Sequence, residues 1–224
     1  MSDRGRPSVG GEGGDPAEPG RVYADRFATE PQALAAARAR AAHLGGPPPV
    51  TPAVGATLAV LASGAGARAA VAVGSGGGVS GLWLLQGMRR DGVLTCLDVD
   101  AEHQRAARLA FAEAGHPPGR TRMIFGTPAE VLPRLSPGAY DVVACSTAPT
   151  DYAADLAGLL GLLRPGGLLV CCGLLEGGRV ADRSARDPET VAWRDVARRV
   201  REDERLTSAV LPVGSGLLVA SPTR

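Results

Sequence analysis

The chain has 224 residues and a formal net charge of +1. That length suits one α/β core, and that charge gives no electrostatic footprint for DNA, RNA or an acidic membrane surface. Glycine, alanine and proline are abundant and lysine is missing; no apolar run reaches the roughly 20 residues needed to cross a bilayer, and the N-terminus lacks the hydrophobic segment of a secretory signal, which predicts a cytoplasmic protein.

Residues 1–20 are Gly, Pro and charge with almost no large apolar side chain, so they are expected to form a disordered tail. A helical run then starts with Pro31 and stops at Gly45. G-G-P-P-P-V-T-P, residues 45–52, reads as a stiff loop, and a second helix follows at about 52–64. From Ala69 strand and helix alternate. Strands are expected near 69–73, 93–98, 121–125, 140–145 and 167–173, with helices near 79–90, 101–115, 127–135, 151–163 and 187–203. The strand runs are apolar on both faces, as in a parallel sheet covered on two sides. L-T-S-A-V-L-P-V and G-L-L-V-A-S, joined through Gly214–Ser215–Gly216, read as a closing hairpin.

The densest chemical signal lies at V-A-V-G-S-G-G-G-V-S, residues 71–80, followed by L-T-C-L-D-V-D, residues 94–100. Gly74, Gly76, Gly77 and Gly78 have no Cβ, so a ligand can lie against the backbone at the tip of the first strand. Asp98 closes the next strand, where a carboxylate can accept hydrogen bonds from two ribose hydroxyls. The combination predicts a nucleoside-containing cofactor. A turn role for Asp98, and glycines that only relieve strand-to-helix crowding, are the structural alternatives. A nicotinamide cofactor would fit the turn and Asp98 alone, but the hairpin and R-P-G-G before the fifth strand speak against it. Cys96, Cys145, Cys171 and Cys172 lie in apolar runs and read as small buried hydrophobes. Neighbours on a strand, Cys171 and Cys172 should point to opposite faces, which argues against zinc. His43, His103 and His116 read as solvated surface residues.

Several stretches carry a family resemblance: V-T-P-A-V-G-A (50–56), G-V-S-G-L-W-L-L (78–85), D-G-V-L-T-C-L-D-V-D-A-E-H-Q-R-A-A-R (91–108), E-V-L-P-R-L (130–135), Y-D-V-V (140–143), L-L-R-P-G-G-L-L-V (162–170), G-G-R-V-A-D (177–182) and E-D-E-R-L (202–206). With them the chain resembles the S-adenosylmethionine-dependent O-methyltransferases of the catechol and caffeoyl-CoA type, most closely an actinobacterial branch. The resemblance implies a class I methyltransferase fold: a Rossmann-like sheet of seven strands, mostly parallel, with a C-terminal antiparallel hairpin and helices on both faces. It implies one domain over 21–224, with N-terminal helices at 21–65 and the core at 66–224. It places S-adenosylmethionine against Val50, Ala72, Gly74, Ser75, Gly76, Gly78, Ser80 and Asp98, with the adenine by Thr127, Pro128 and Ala129. Ser80 could equally be a plain helix N-cap. A homodimer through helices within 31–64 is implied by the resemblance alone.

The sequence departs from the family where the acceptor is activated. The family's fourth strand ends in a D-A-D-K-like segment whose first Asp binds a metal and whose Lys helps to remove the substrate proton. Ser146-Thr147-Ala148-Pro149 stands there, and Cys172-Gly173 replaces the Asp-Asn that completes the metal site. Mg²⁺ wants hard oxygen ligands in an octahedron, so no metal is expected. Ala72 stands where the family has an acidic residue that favours the methionine ammonium. Ser146, Ala148, Asp151 and Tyr152 are the expected substrate-pocket residues, with Asp151 or Tyr152 able to supply a substitute polar group and an N-cap as the plainer role for Asp151. No catalytic residue is assigned. The expectation is methyl transfer to a hydroxyl of a small-molecule acceptor without a divalent metal; the alternative is a catalytically degenerate cofactor-binding or regulatory protein.

Overall fold

The structure is a computed structural model and describes residues 18–223. Most of the expected tail, residues 1–17, lies outside the described residues. Glu18–Gly20 do not belong to a tail: they open helix α1 (Glu18–Phe27), an element outside the expected ones, and none of its residues is buried. Its hold on the fold is polar, since Asp25 Oδ1 accepts from Ala53 N at 2.8 Å.

Among the described residues one sheet contains seven strands: β1 (Ala69–Val73), β2 (Val93–Asp98), β3 (Thr121–Phe125), β4 (Tyr140–Cys145), β5 (Leu163–Cys172), β6 (Leu206–Leu211) and β7 (Leu217–Pro222). Their order is β3-β2-β1-β4-β5-β7-β6. The first five run parallel, and β7 lies antiparallel to β5 and β6. The two-residue period of a strand sends alternate side chains to opposite faces. Ala70, Ala72, Leu94, Cys96 and Val142 pack under α2 (Gln32–Ala41), α3 (Pro52–Gly64), α4 (Val79–Gly87) and α5 (Ala101–Glu113). Val71, Val73, Leu97, Val143, Cys145 and Cys171 pack under α6 (Pro128–Val131), α7 (Leu156–Gly161) and α8 (Pro188–Glu202). Cys171 and Cys172 do face opposite ways.

Three elements depart from expectation for local reasons. β5 begins at Leu163 rather than 167, because Arg164-Pro165-Gly166-Gly167 is absorbed as an irregularity between the pairs Tyr140↔Leu163 and Val142↔Leu168. The helix expected at 127–135 stops at Val131 and tightens to a 3₁₀ turn through Pro133. Residues 149–155 form 3₁₀ turns before α7. No helix among the described residues is long and apolar enough to cross a membrane.

The N-terminal edge of the sheet is fixed by Asp141. Its Oδ2 accepts from Arg68 N (2.8 Å) and Ala69 N (2.9 Å), and its Oδ1 from Arg164 Nε. Burial pushes its carboxyl up, but these donors outweigh burial and hold it below the usual range. At the opposite, C-terminal edge the chain leaves β1 toward β2 on one side and returns to β4 on the other. That reversal opens a crevice at the strand tips, where open α/β sheets bind ligands.

Candidate functional site

The crevice encloses about 210 Å³ and is lined by Val73, Gly74, Leu97, Asp98, Val99, Gly126, Thr127, Pro128, Thr147 and Asp151. Of the glycine turn, Gly74 lines it. Gly74, Gly76, Gly77 and Gly78 all have positive φ, from +48° to +92°, a region nearly closed to residues with a Cβ. Their surroundings differ. A Cβ on Gly74 would meet Thr147 Cβ at 2.8 Å, one on Gly77 would meet Ala41 Cβ at 2.9 Å, and one on Gly78 would meet Ala107 Cα at 3.0 Å. A Cβ on Gly76 would meet nothing within 4 Å. Three glycines therefore let protein pack on the turn, and one faces open space.

Asp98 is 7% exposed at the end of β2. Its Oδ2 accepts from Ser75 N (2.7 Å) and Ser75 Oγ (2.6 Å), and its Oδ1 from Asp100 N (2.9 Å). Ser75, 1% exposed, thus locks the carboxylate rather than facing the crevice. The far wall is set by a capping box on α6: Thr127 N and Oγ1 donate to Glu130 Oε2 at 2.9 and 3.0 Å. These bonds, the backbone one first, lower the Glu130 carboxyl. Ser80 is buried in the first turn of α4, and its Oγ lies 3.0 Å from Ser146 Oγ, which donates to Gly74 O at 3.1 Å. Gly78 holds the cap position of that helix, so Ser80 is not the N-cap.

A second cavity adjoins the crevice at Thr147. It holds about 180 Å³ between Pro47–Thr51, Ser146–Pro149, Cys172, Gly173, Glu176, Glu189, Trp193 and Ser215. It continues outward into about 540 Å³ lined by Pro47, Pro48, Ala148, Gly173, Glu176, Arg179, Asp187, Glu189 and Trp193. Val50 sits on the inner wall, its carbonyl accepting from Arg38, which Glu30 holds at 2.9 and 3.2 Å. The stiffness of the Pro47–Pro49 loop therefore has a polar anchor as well.

The structure brings Gly74, Asp98 and Pro128 to the crevice, and Val50, Ser146 and Ala148 to the second cavity. Of the residues expected at the cofactor, Ala72, Ser75, Gly76, Gly78 and Ser80 line neither space and Val50 lines the second cavity, while Asp151 and Tyr152 leave the expected substrate pocket. Ala72 lines neither space: strand alternation turns its methyl, 1% exposed, into the core beside Cys96 and Ala144. Asp151 lines the crevice rather than the substrate pocket, and accepts from Thr147 Oγ1. Tyr152 is fully buried behind the pocket, its ring edge-on to Trp193 at 6.3 Å, and its phenol is raised by burial and by the neighbouring Cys171 and Cys145. Burial also pushes Cys96 to about 12 and raises Cys172, so neither thiol ionises near neutral pH.

His103 was missed by sequence reasoning. It is not a solvated residue: its side chain is 15% exposed, Nδ1 lies 3.6 Å from Asp98 Oδ2, and Nε2 lies 2.9 Å from Gly45 O. Its place three residues after the α5 cap, five after Asp98, was the available signal. His43 is exposed; His116 is half-buried, and burial followed by Arg120 lowers its imidazole.

A family model described as O-methyltransferase matches residues 25–222. A Mycobacteroides abscessus relative, itself assigned to the O-methyltransferases, is 52% identical over 199 residues, covering 89% of this chain and 92% of that one. A crystal structure of a Corynebacterium glutamicum protein superposes with a TM-score of 0.84 at 36% identity, covering 92% of this chain and 97% of that one. The structure of TomG, an O-methyltransferase of Streptomyces achromogenes involved in tomaymycin synthesis and solved with S-adenosylmethionine, gives 0.81 at 26% identity, with 92% and 96% covered. With a switch-point crevice, a glycine turn and a strand-end carboxylate arranged as described, this chain belongs to the O-methyltransferase family.

Proposed function

We propose that this O-methyltransferase seats S-adenosylmethionine in the Gly74–Asp98–Pro128 crevice and methylates a hydroxyl of a small molecule lying in the cavity beyond Thr147, without a divalent ion. The observation that carries this reading is the shared wall: Thr147 lines both spaces, so a group at one end of the crevice faces the mouth of the other cavity. The cofactor fits the residues present. Gly74 lines the crevice where a Cβ would crowd Thr147, the backbone at Gly76 faces open space, and Asp98, already pinned by Ser75 and Asp100, is preorganised to accept from two ribose hydroxyls. Val99 and Pro128 offer apolar faces to a purine. A hard divalent ion does not fit the second cavity's inner end: Ser146 and Cys172 are neutral there, and among the described residues no group of three His, Cys, Asp or Glu converges.

When bound, the sulfonium supplies an electrophilic methyl group, so the protein must mainly align the acceptor and manage its proton. Val50 and the prolines exclude water from the inner cavity. Ser146, tied to Ser80 and Gly74 O, offers a fixed hydroxyl to orient the acceptor oxygen. Thr147 Oγ1 can receive the acceptor proton while passing its own to Asp151 Oδ2. We further infer a single methyltransferase domain, extended from the expected 21–224 to take in Glu18–Gly20 of α1, and a homodimer through the N-terminal helices. The stacked and exposed Tyr23 and Phe27 (71% and 78%), with Val60 (70%), support that surface. Transfer of labelled methyl from S-adenosylmethionine to a panel of phenols in the presence of EDTA tests the main reading. Turnover that survives the chelator and disappears in Asp98→Ala supports it; no turnover, or turnover restored only by Mg²⁺, removes it. Light scattering on the eluting protein tests the dimer.

A further inference from the structure

We propose that the acceptor is an aromatic or similarly flat apolar molecule carrying a cationic nitrogen, whose charge sits between Glu176 and Glu189. This names the substrate class of the site above and rests on that reading. The site is the pair of continuous cavities; the glutamates decide only which charge it takes. Its inner end is neutral, with hydroxyls from Thr51, Ser146, Thr147 and Ser215. Pro47, Pro48 and Trp193 line both cavities, and Tyr152 packs edge-on against the Trp193 ring. Rigid apolar walls of that kind suit a ring.

Charge enters only toward the outside. Glu176, on the turn after β5, and Glu189, in the first turn of α8, each line both cavities. Neither makes a side-chain hydrogen bond or ion pair with another described residue, whereas nearly every other acid around them is engaged. Asp187 caps α8 through Thr190 N and pairs with Arg179. Its carboxyl is held far below the usual range by Arg179 first and Thr190 second. Arg179 is the only arginine lining either cavity among the described residues, and that pair uses its charge. A chain with 24 basic residues and a net charge of +1 thus presents two uncompensated carboxylates and no free cation to its acceptor. A carboxylate- or phosphate-bearing acceptor would meet like charge there; an amine or guanidine would meet two opposite charges.

Isothermal titration of the full chain tests this with three probes sharing one ring: tyramine, para-ethylphenol and para-hydroxyphenylpropanoate. S-adenosylhomocysteine is titrated first, and each probe is then added to the saturated protein. Tyramine should bind about tenfold tighter than ethylphenol, the sum of two exposed ion pairs, and the carboxylate weakest. The double variant Glu176→Gln, Glu189→Gln should erase the advantage of tyramine while leaving ethylphenol affinity and Tm in place. Equal affinities, a preference for the carboxylate, no binding of any probe at millimolar concentration, or a tyramine preference that survives the double variant would each overturn the inference. Absence of heat with S-adenosylhomocysteine defeats the methyltransferase reading itself; heat with that ligand and no amine preference defeats only the acceptor class.

Discussion

The two halves of the strand-tip surface are built by different means. The crevice proposed for the cofactor rests on three short stretches, the turn at 74–78, the end of β2 at 98–100 and the capped start of α6 at 126–130; Ser75 ties the first to the second through Asp98, and Thr147 and Asp151 close the side toward β4. The acceptor cavity is assembled from side chains far apart in sequence, at 47–51, 146–149, 172–176, 189–193 and 215. Affinity for the cofactor is therefore a local property, and acceptor choice a tertiary one. Substitutions should separate along that line.

The sharpest test is Asp98→Asn. It removes the charge proposed to receive the ribose hydroxyls and loosens the lock from Ser75 N and Oγ. Losing about 3 kcal/mol of charge-assisted hydrogen bonding should raise the Kd for S-adenosylhomocysteine about a hundredfold. A change below tenfold in titration calorimetry would break the assignment of the crevice.

The same division explains what the sequence disclosed. The parallel strands and the closing hairpin were legible, and Gly74 and Asp98 stood out, because glycine at positive φ and an acid at a strand end are demanded locally. Ser146 and Ala148 were placed by their position after β4. Tyr152 was not, because it is the joint between two 3₁₀ turns and can face either way, and packing on Trp193 decides it. Ala72 was assigned from a family position, yet the pleat turns its side chain away from the crevice. The outer acidic mouth has no linear signature at all: Glu176 and Glu189 line the same cavities only because α8 returns to the tip of β5, where Trp193 lies against Gly173.

Next in size is a contrast within one turn. Gly78→Ala forces a Cβ at φ +92° to within 3.0 Å of the α5 backbone, and should cost ~2–3 kcal/mol of stability. Gly76→Ala, at φ +48° with nothing near, should cost ~1 kcal/mol of stability but weaken cofactor binding at least as much as Gly78→Ala does. Thermal melts with and without S-adenosylhomocysteine check this. Equal stability losses with unchanged affinity in Gly76→Ala would mean that the open space beside Gly76 is not the cofactor's.

At the far end of the sheet, Asp141→Asn should leave cofactor affinity unchanged and cost ~2 kcal/mol of stability at neutral pH. The sign follows from the depressed folded pKa. The stabilisation is fully present above the unfolded carboxyl value of about 3.9 and is lost as pH falls through the lower folded value. Tm measured from pH 6 downward should therefore decline less steeply in the variant than in the parent. Parallel curves would mean that Asp141 carries no such linkage.

The smallest predicted effect is the one that joins the halves. His103 reaches Asp98 on the cofactor side and Gly45 O, at the start of the proline loop that walls the acceptor cavity. Its removal deletes one hydrogen bond to the loop and frees one side of the Asp98 carboxylate. His103→Ala should raise both the cofactor Kd and the acceptor KM about fivefold, the scale of ~1 kcal/mol, with kcat nearly unchanged because no reacting atom is touched. A purely structural role would lower Tm and leave both constants alone. A change confined to one substrate would show that the loop and the crevice move independently, and that the contrast between a local and a tertiary half holds without a bridge.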